Sequence, residues 1–318
     1  KTKPVILRYS LRDIQSTPEI RNRYLPQNPW VDHVTAPQNS TLTTYREEYG
    51  DALLDTIGDS IKVLLVEDYN ATGLVGDTDM LFPNADHDGN YDEESRANTW
   101  FWFMRSKGAQ RPVAGRGGSW GLGKLAFPLA SAVRTFFVVT SRKDGSRFLA
   151  GQAVLKPHQR HGKWFGDMMY FADNDLIVSD TQGEGDHFWA SISDSNSIDQ
   201  FCESFNVERR DNQPGTSMAI VLPRKQLDAE KLTLAILSNY FIPILNGTLE
   251  IEISSEDGAI KRITAENVRE IVDKSNWGLI SKTALLPAWT SVGRMNELAN
   301  LYETIISADS PEITKIVI

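Results

Sequence analysis

Val5, Leu7, Tyr9 and Leu11 alternate with polar neighbours, the period-two pattern of a half-buried strand. Residues 13 to 45 lose that periodicity and are rich in Pro, Asn, Gln and Thr, so a long irregular excursion is expected there. From Thr44 to Ile57 the apolar positions Tyr45, Tyr49, Leu53, Leu54 and Ile57 recur at helical spacing. The run Ile61-Lys62-Val63-Leu64-Leu65-Val66 predicts a buried strand, which ends in the polar turn Glu67-Asp68-Tyr69-Asn70-Ala71-Thr72-Gly73-Leu74. Residues 75 to 98 read as an acidic loop, and Thr99 to Met104 as an aromatic segment that must bury its rings.

A glycine-rich loop from Gly115 to Lys124 then runs into Leu125 to Val133, a stretch compatible with a helix despite Pro128. Strands are expected at Thr135 to Ser141, Phe148 to Leu155 and Ser217 to Leu222, a composition typical of antiparallel sheet. Past Pro223 the pattern changes to a long amphipathic helix at Leu227 to Leu245, a strand at Thr248 to Ile253 and a helix at Ala265 to Val272. A domain boundary is placed near Pro223, dividing residues 1–223 from 224–318, with Tyr240, Phe241 and Ile244 assigned to an interdomain core. No internal repeat is visible.

Composition narrows the class without deciding it. An apolar share of 41% in 318 residues suffices for a sizeable core, and no window approaches the roughly 18 apolar residues of a membrane span. The single cysteine, Cys202, excludes an internal disulfide framework, so a soluble protein of the reducing cytoplasm is expected. The net charge of -9 argues against a chain-wide nucleic-acid footprint; the basic stretch 156–163 keeps nucleic acid open as a local partner.

Three separated features carry candidate chemistry. Asp68 closes a buried strand, where a carboxylate can accept a hydrogen bond from the amino group of adenine, and Gly73 five residues later lets backbone approach a ring closely. Gly115, Gly117, Gly118, Gly121 and Gly123 leave many backbone N–H groups free to cradle phosphate, with Lys124 adding a point charge and a following helix N-terminus favouring anions. Gly215-Thr216 opens a later apolar strand, and Thr216 can bridge a carboxylate and a purine. Gly118 to Lys124 nearly fits a P-loop, but Leu125 stands where Ser or Thr must hold magnesium, and no strand leads in.

The order of these features resembles the superfamily of ATPases shared by gyrase, heat-shock chaperones, histidine kinases and MutL, known as GHKL. Asp68 resembles its adenine-binding Asp, Gly118-Ser119-Trp120-Gly121-Leu122-Gly123 its lid box and Gly215-Thr216 its last box, over about residues 61 to 223. Val66 to Asp77 and Gly117 to Lys124 are closer still in style to a bacterial branch linked to restriction and antiphage defence. The resemblance implies an α/β fold: an α+β two-layer sandwich of Bergerat type binding ATP and Mg2+, followed by a smaller transducer-like α/β domain. The nucleotide site would comprise Asp68, Thr72, Gly73, Gly117, Gly118, Ser119, Trp120, Gly121, Leu122, Gly123, Lys124 and Thr216.

The family's adenine turn is usually Asp-x-Gly-x-Gly, and the four residues between Asp68 and Gly73 make a longer turn here. Its general-base Glu and magnesium-binding Asn have no match; Glu47, Glu48 and Asp51 come without an Asn, so that helix is expected before Lys1, and no catalytic or metal residue is assigned in this chain. The implied function is an ATP-driven switch, with a homodimer on nucleotide binding and defence-system proteins as expected partners. The alternative is a non-catalytic interaction scaffold that keeps the fold without nucleotide turnover.

Two further patterns are weighed and set aside. Asn84, Asp86, Asp88, Gly89 and Asp92 copy the spacing of an EF-hand calcium loop, but Ser95 occupies the twelfth position, where a bidentate Glu is needed. His158 and His161 lack a third ligand and read as surface residues.

Overall fold

β-Branched and aromatic runs become strands because their side chains fit a pleated surface, and here such runs build a large sheet packed against helices. The computed structural model describes residues 3–36, 46–49, 57–80, 82–106, 123–172, 175–180 (backbone alone), 189–209, 212–255 and 258–275. The architecture is mixed α/β, and the chain divides into two units, Arg8–Lys225 and Lys1–Leu7 with Gln226–Ile318. No helix among the described residues is long and apolar enough to cross a membrane.

The larger unit is built on strand β1 (Val5–Gln15) from Arg8 onward, β2 (Ser60–Tyr69), β3 (Thr135–Ser141), β4 (Arg147–Val154), β5 (His158–Arg160), β6 (Lys163–Ala172), β7 (Asp175–Asp180) and β8 (Gly215–Val221). Their order is β1-β2-β8-β3-β4-β6-β5, with β7 also on β6. β8 lies between β2 and β3 and is antiparallel to both, so a segment far along the chain is threaded beside Asp68.

Alternation sorts this sheet into two faces. Val63, Leu65, Phe137, Val139, Ala219 and Val221 belong to the main core with Tyr24, Trp30, Phe201 and Phe205. Phe137 lies at the centre of its aromatic contacts, 6.1 Å from Tyr24, 5.5 Å from Phe171 and 5.4 Å from both Phe201 and Phe205 between ring centroids. The neighbouring Phe136 turns to the other face and meets Phe103 and Phe127. Helical segments therefore lie against both faces of β3.

Helical elements are α1 (Glu93–Ala97), α2 (Ala126–Ala130), α3 (Ser195–Ser204), α4 (Ala229–Leu245) and α5 (Val268–Lys274). Several expectations are corrected. The excursion from residue 13 is not irregular: β1 runs to Gln15, and helical turns at Ile20–Tyr24, Gln27–Val31 and Asp32–Val34 bury Ile20, Tyr24, Leu25 and Trp30. The acidic loop contains α1, capped by the Asp92 side chain on the Ser95 N–H. Residues 46–49 are helical, and most of the helix expected over Thr44 to Ile57 lies outside the described residues.

In the smaller unit, β9 (Leu249–Ser254) pairs antiparallel with β10 (Ile260–Ile263), and the Val5 N–H donates to the Thr248 carbonyl at 3.0 Å. α4 buries Leu234, Leu237, Phe241 and Ile244, whereas Tyr240, expected in a core, is 43% exposed. The backbone departs from helical geometry at Tyr240, three residues before Pro243, whose ring cannot fit an unbroken helix.

His158, expected at the surface, is fully buried and shares a hydrogen bond of 2.7 Å with His33. The Lys156 carbonyl can only accept, so His158 Nδ1 carries the proton toward it, at 2.8 Å. His158 Nε2 is then the acceptor, and His33 Nδ1 the donor. Burial first, and His158 second, pull the His33 pKa down to about 4; Asp32 opposes the shift, and Arg160 and His161 add to it. Because an unfolded His titrates near 6.5, the unfolded chain takes up the proton first as pH falls. The contribution of His33 is complete above about pH 6.5 and is lost toward pH 4. Thermal scans are expected to show a Tm lower by on the order of 5 °C at pH 5 than at pH 7, with a shallower pH dependence in His33→Phe. Equal slopes for the two proteins would refute the assignment.

Candidate functional site

Asp68 is the last face-alternating position of β2 before its final residue, in line with Leu64 and Val66. The register Val66↔Met218 and Glu67↔Ser217 places Thr216 opposite it on β8. The Thr216 backbone N–H donates to Asp68 Oδ1 at 2.5 Å. Such an approach requires a residue without Cβ at Gly215: φ is +143°, and an added Cβ would lie 2.3 Å from the Asp68 carbonyl oxygen and 2.4 Å from Oδ1.

Thr140 ties the following turn to the same place. It pairs with Thr216 across β3 and β8, its hydroxyl donates to the Gly215 carbonyl at 3.5 Å, and it accepts from the Leu74 N–H at 2.7 Å. Gly73, at φ +72°, packs so closely that a Cβ would stand 2.5 Å from the Ser141 carbonyl and 2.8 Å from Thr140 Oγ1. Asp68, Gly73 and Thr216 thus come together through three neighbouring strands. Thr72, on the exposed side of the turn, donates from Oγ1 to the Gly73 carbonyl at 3.1 Å.

Beyond Gly73 the loop is strapped down. Arg142 donates to the carbonyls of Leu74 and Gly76, both at 2.8 Å, and Asn98 donates to the Asp77 carbonyl at 2.7 Å. Arg105 donates at 2.8 Å to Thr78 and to Trp189, and its guanidinium lies 4.2 Å from the Trp189 ring. Trp100, Phe101, Trp102 and Met104 are buried, as an aromatic segment in water requires.

Of the glycine loop, Gly117, Gly118, Ser119, Trp120, Gly121 and Leu122 lie outside the described residues. Gly123 and Lys124 form a helical turn leading into α2. That helix has five residues and stops at Ser131, so the longer helix expected through Val133 is corrected. The Ser131 hydroxyl accepts from the N–H groups of Val133 and Thr135 and donates to Val221, which turns the chain into β3. Lys124 Nζ donates to the Trp102 carbonyl at 3.1 Å, and burial lowers its pKa to about 8.

Burial raises the Asp68 pKa, with Glu67 adding to the effect; the Thr216 N–H and Arg209 act against it by favouring the carboxylate. Oδ2 has no hydrogen-bond partner among the described residues, and the side chain keeps 32% of its exposure. Beside it lie buried Val66 and half-buried Met218, paired across β2 and β8. The combination is a fixed carboxylate with one oxygen occupied and one presented next to an apolar floor. It can accept a hydrogen bond from the amino group of a flat heterocycle.

Sequence reasoning missed Arg209, whose side chain is 1% exposed and which reaches the carbonyls of Asp68, Gln213 and Thr216. It sits in a polar linker and looks like any solvated arginine. Thr140 and Met218 were missed as well; their signal was the strand period counted from Thr216 and from its partner on β3.

The acidic loop spends its groups on itself. Asp86 Oδ1 accepts from the N–H groups of Asp88 and Asn90, and Ser95 Oγ from that of Asn84. Among the described residues, no three His, Cys, Asp or Glu side chains are grouped to hold a metal ion. Searches with the whole sequence against protein-family models and against curated proteins find no match.

Proposed function

We propose that this protein binds ATP on the sheet face that carries Asp68 and Thr216, and that it works as a nucleotide-controlled switch of the Bergerat type. The reading is carried by one observation: Thr216 N–H occupies Asp68 Oδ1, and Oδ2, near Val66 and Met218, has no hydrogen-bond partner among the described residues. An ionised carboxylate so placed accepts the exocyclic amino group of adenine. Gly73, held against Thr140 and Ser141, brings backbone rather than side chain to the edge of the ring.

The phosphates would run toward the glycine loop, Gly117 to Gly123, with Lys124 at its end. The layer over this face is made by residues on either side of that loop, through the Phe103, Phe127 and Phe136 rings, so ordering of the loop would be felt directly in the packing. Mg2+ would enter with the triphosphate and offset its charge; the described residues offer it no ligand set, and no step is assigned to it. The transducer-like role of residues 224–318, homodimerisation and partners from an antiphage or restriction system belong to the same proposal and rest on the resemblance, and a cytoplasmic setting rests on the single cysteine.

Calorimetric titration with a non-hydrolysable ATP analogue and Mg2+ tests the anchor. Asp68→Asn turns an N–H group toward the adenine amino group, and a loss of about 2 kcal/mol, some 30-fold in affinity, is expected while the circular dichroism spectrum is unchanged. Affinity equal to that of the unaltered protein would remove Asp68 from the site. A folded protein that takes up no nucleotide would favour the scaffold instead.

The amine of Lys124 supplies a second test. Its pKa, lowered to about 8 by burial, must rise when phosphate comes near, so the protein takes up protons on binding in the window above about pH 8. At pH 8.5 the binding enthalpy is expected to vary with the ionisation enthalpy of the buffer, and Lys124→Met to abolish the variation. No buffer dependence in the unaltered protein would separate Lys124 from the phosphates.

A further inference from the structure

Four acceptors converge on one buried cation beneath this site. Arg209 donates from Nε to Ser217 Oγ at 2.9 Å, from Nη1 to the Gln213 carbonyl at 3.1 Å, and from Nη2 to the Thr216 carbonyl at 2.8 Å and to the Asp68 carbonyl. Its Nη2 also stands 3.8 Å from Asp68 Oδ1. The Ser217 hydroxyl, having accepted from Arg209, donates to buried Glu67 Oε1 at 2.8 Å. The guanidinium lies over the Tyr69 ring at 4.5 Å, and Arg8 lies over the same ring at 5.0 Å.

We propose that Arg209 is the positioning residue of the Asp68–Thr216 pair: its planar fork ties the end of β2 to the start of β8 in the one arrangement that brings the Thr216 N–H onto Asp68 Oδ1. The role deepens the ATP-binding reading without touching the ligand. Two observations argue that the fork, and not charge alone, is what the place requires. Its donors reach four acceptors in different directions, a set that the single nitrogen of Lys cannot cover. The space is also closed to anything larger at Gly215, where a Cβ would lie 2.6 Å from Arg209 Nη1 as well as against Asp68.

The charged and titratable groups acting on this cation are Asp68, Glu67, Tyr69 and Cys202. Asp68 and Glu67 are carboxylates adjacent in sequence and repel each other when both are ionised. The cation beside them offsets that repulsion and favours the Asp68 carboxyl in its accepting form against burial.

The test uses the protein without nucleotide, labelled with 13C at Asp side-chain carboxyls and 15N at Thr. In Arg209→Lys the Thr216 amide is expected to exchange with solvent about ten-fold faster or more, and the Asp68 carboxyl to titrate at higher pH. Affinity for the ATP analogue falls, and its loss on acidification begins at higher pH. Tyr69→Leu, which removes the ring beneath the guanidinium and keeps every hydrogen-bond partner of Arg209, moves the same two signals by less and serves if the lysine variant fails to fold. Unmoved Thr216 exchange and Asp68 titration in a folded variant would overturn the proposal. Should both signals move while the unaltered protein binds no ATP analogue, the positioning role stands and the nucleotide reading falls.

Discussion

The pairing of β2 with β8 is the interaction on which the candidate site depends. Asp68 and Thr216 are 148 residues apart in the chain and become neighbours because β8 inserts between β2 and β3 and runs antiparallel to each. Once Glu67 faces Ser217, the period of two decides that the Asp68 carboxyl and the Thr216 side share one face, while Glu67 and Ser217 share the other. A slip of one residue would exchange those faces and present Glu67 where Asp68 now stands. Both inner flanks of the register are held by apolar pairs, Leu64 with Ile220 and Val66 with Met218, so core burial and site geometry are set by the same ladder.

Polar groups crowded at a strand end must each find a partner, since an unpaired buried group costs on the order of 1–3 kcal/mol. The network here meets that demand largely within the larger unit. Glu67 takes the Ser217 hydroxyl, Ser217 takes Arg209 Nε, and Arg209 spends its remaining donors on main-chain carbonyls that strand geometry leaves free at the ladder's end. Asp68 receives one N–H from Thr216. Among the described residues, Glu67 Oε2 is buried without a partner, and Asp68 Oδ2 is left over on a side chain that keeps 32% of its exposure. A site can arise where an acceptor is left over and the surface is near enough to keep it charged.

What was legible in the sequence follows from the range of the signal. β3 was read at its observed limits because all seven of its residues are apolar, aromatic or β-branched apart from a closing Ser, and all are buried. The helix α3 was missed although Ile198, Phe201, Cys202 and Phe205 recur at helical spacing behind an Asp194 cap; the segment is otherwise polar, and that pattern needs only four apolar positions. β5 lay within the basic stretch 156–163, and β6 was missed although Trp164, Phe165, Tyr170 and Phe171 suit a strand; His161 and Gly162, at φ 48° and 77°, form the two-residue turn that a hairpin favours. Residues 20–34 bury a Tyr and a Trp with no periodicity at all, because short helical turns broken by Pro26 and Pro29 repeat too few times to show one.

The site divides along the same line. Asp68, Gly73 and Thr216 each mark an element end, and element ends are where Asp, Gly and Thr leave readable traces. Arg209 leaves none, because its meaning lies in what it touches: four acceptors on residues 68, 213, 216 and 217, at the end of one strand, in a linker and at the start of another. Tyr69 makes the point from the other direction. Its position two residues after Glu67 puts it on the Arg209 face, where the ring can lie under a guanidinium, whereas Asp68 between them faces the opening. Three consecutive residues therefore provide a buried carboxylate, the acceptor of the candidate site and a platform for a cation. An exchange among them would keep the composition of the strand and lose the site.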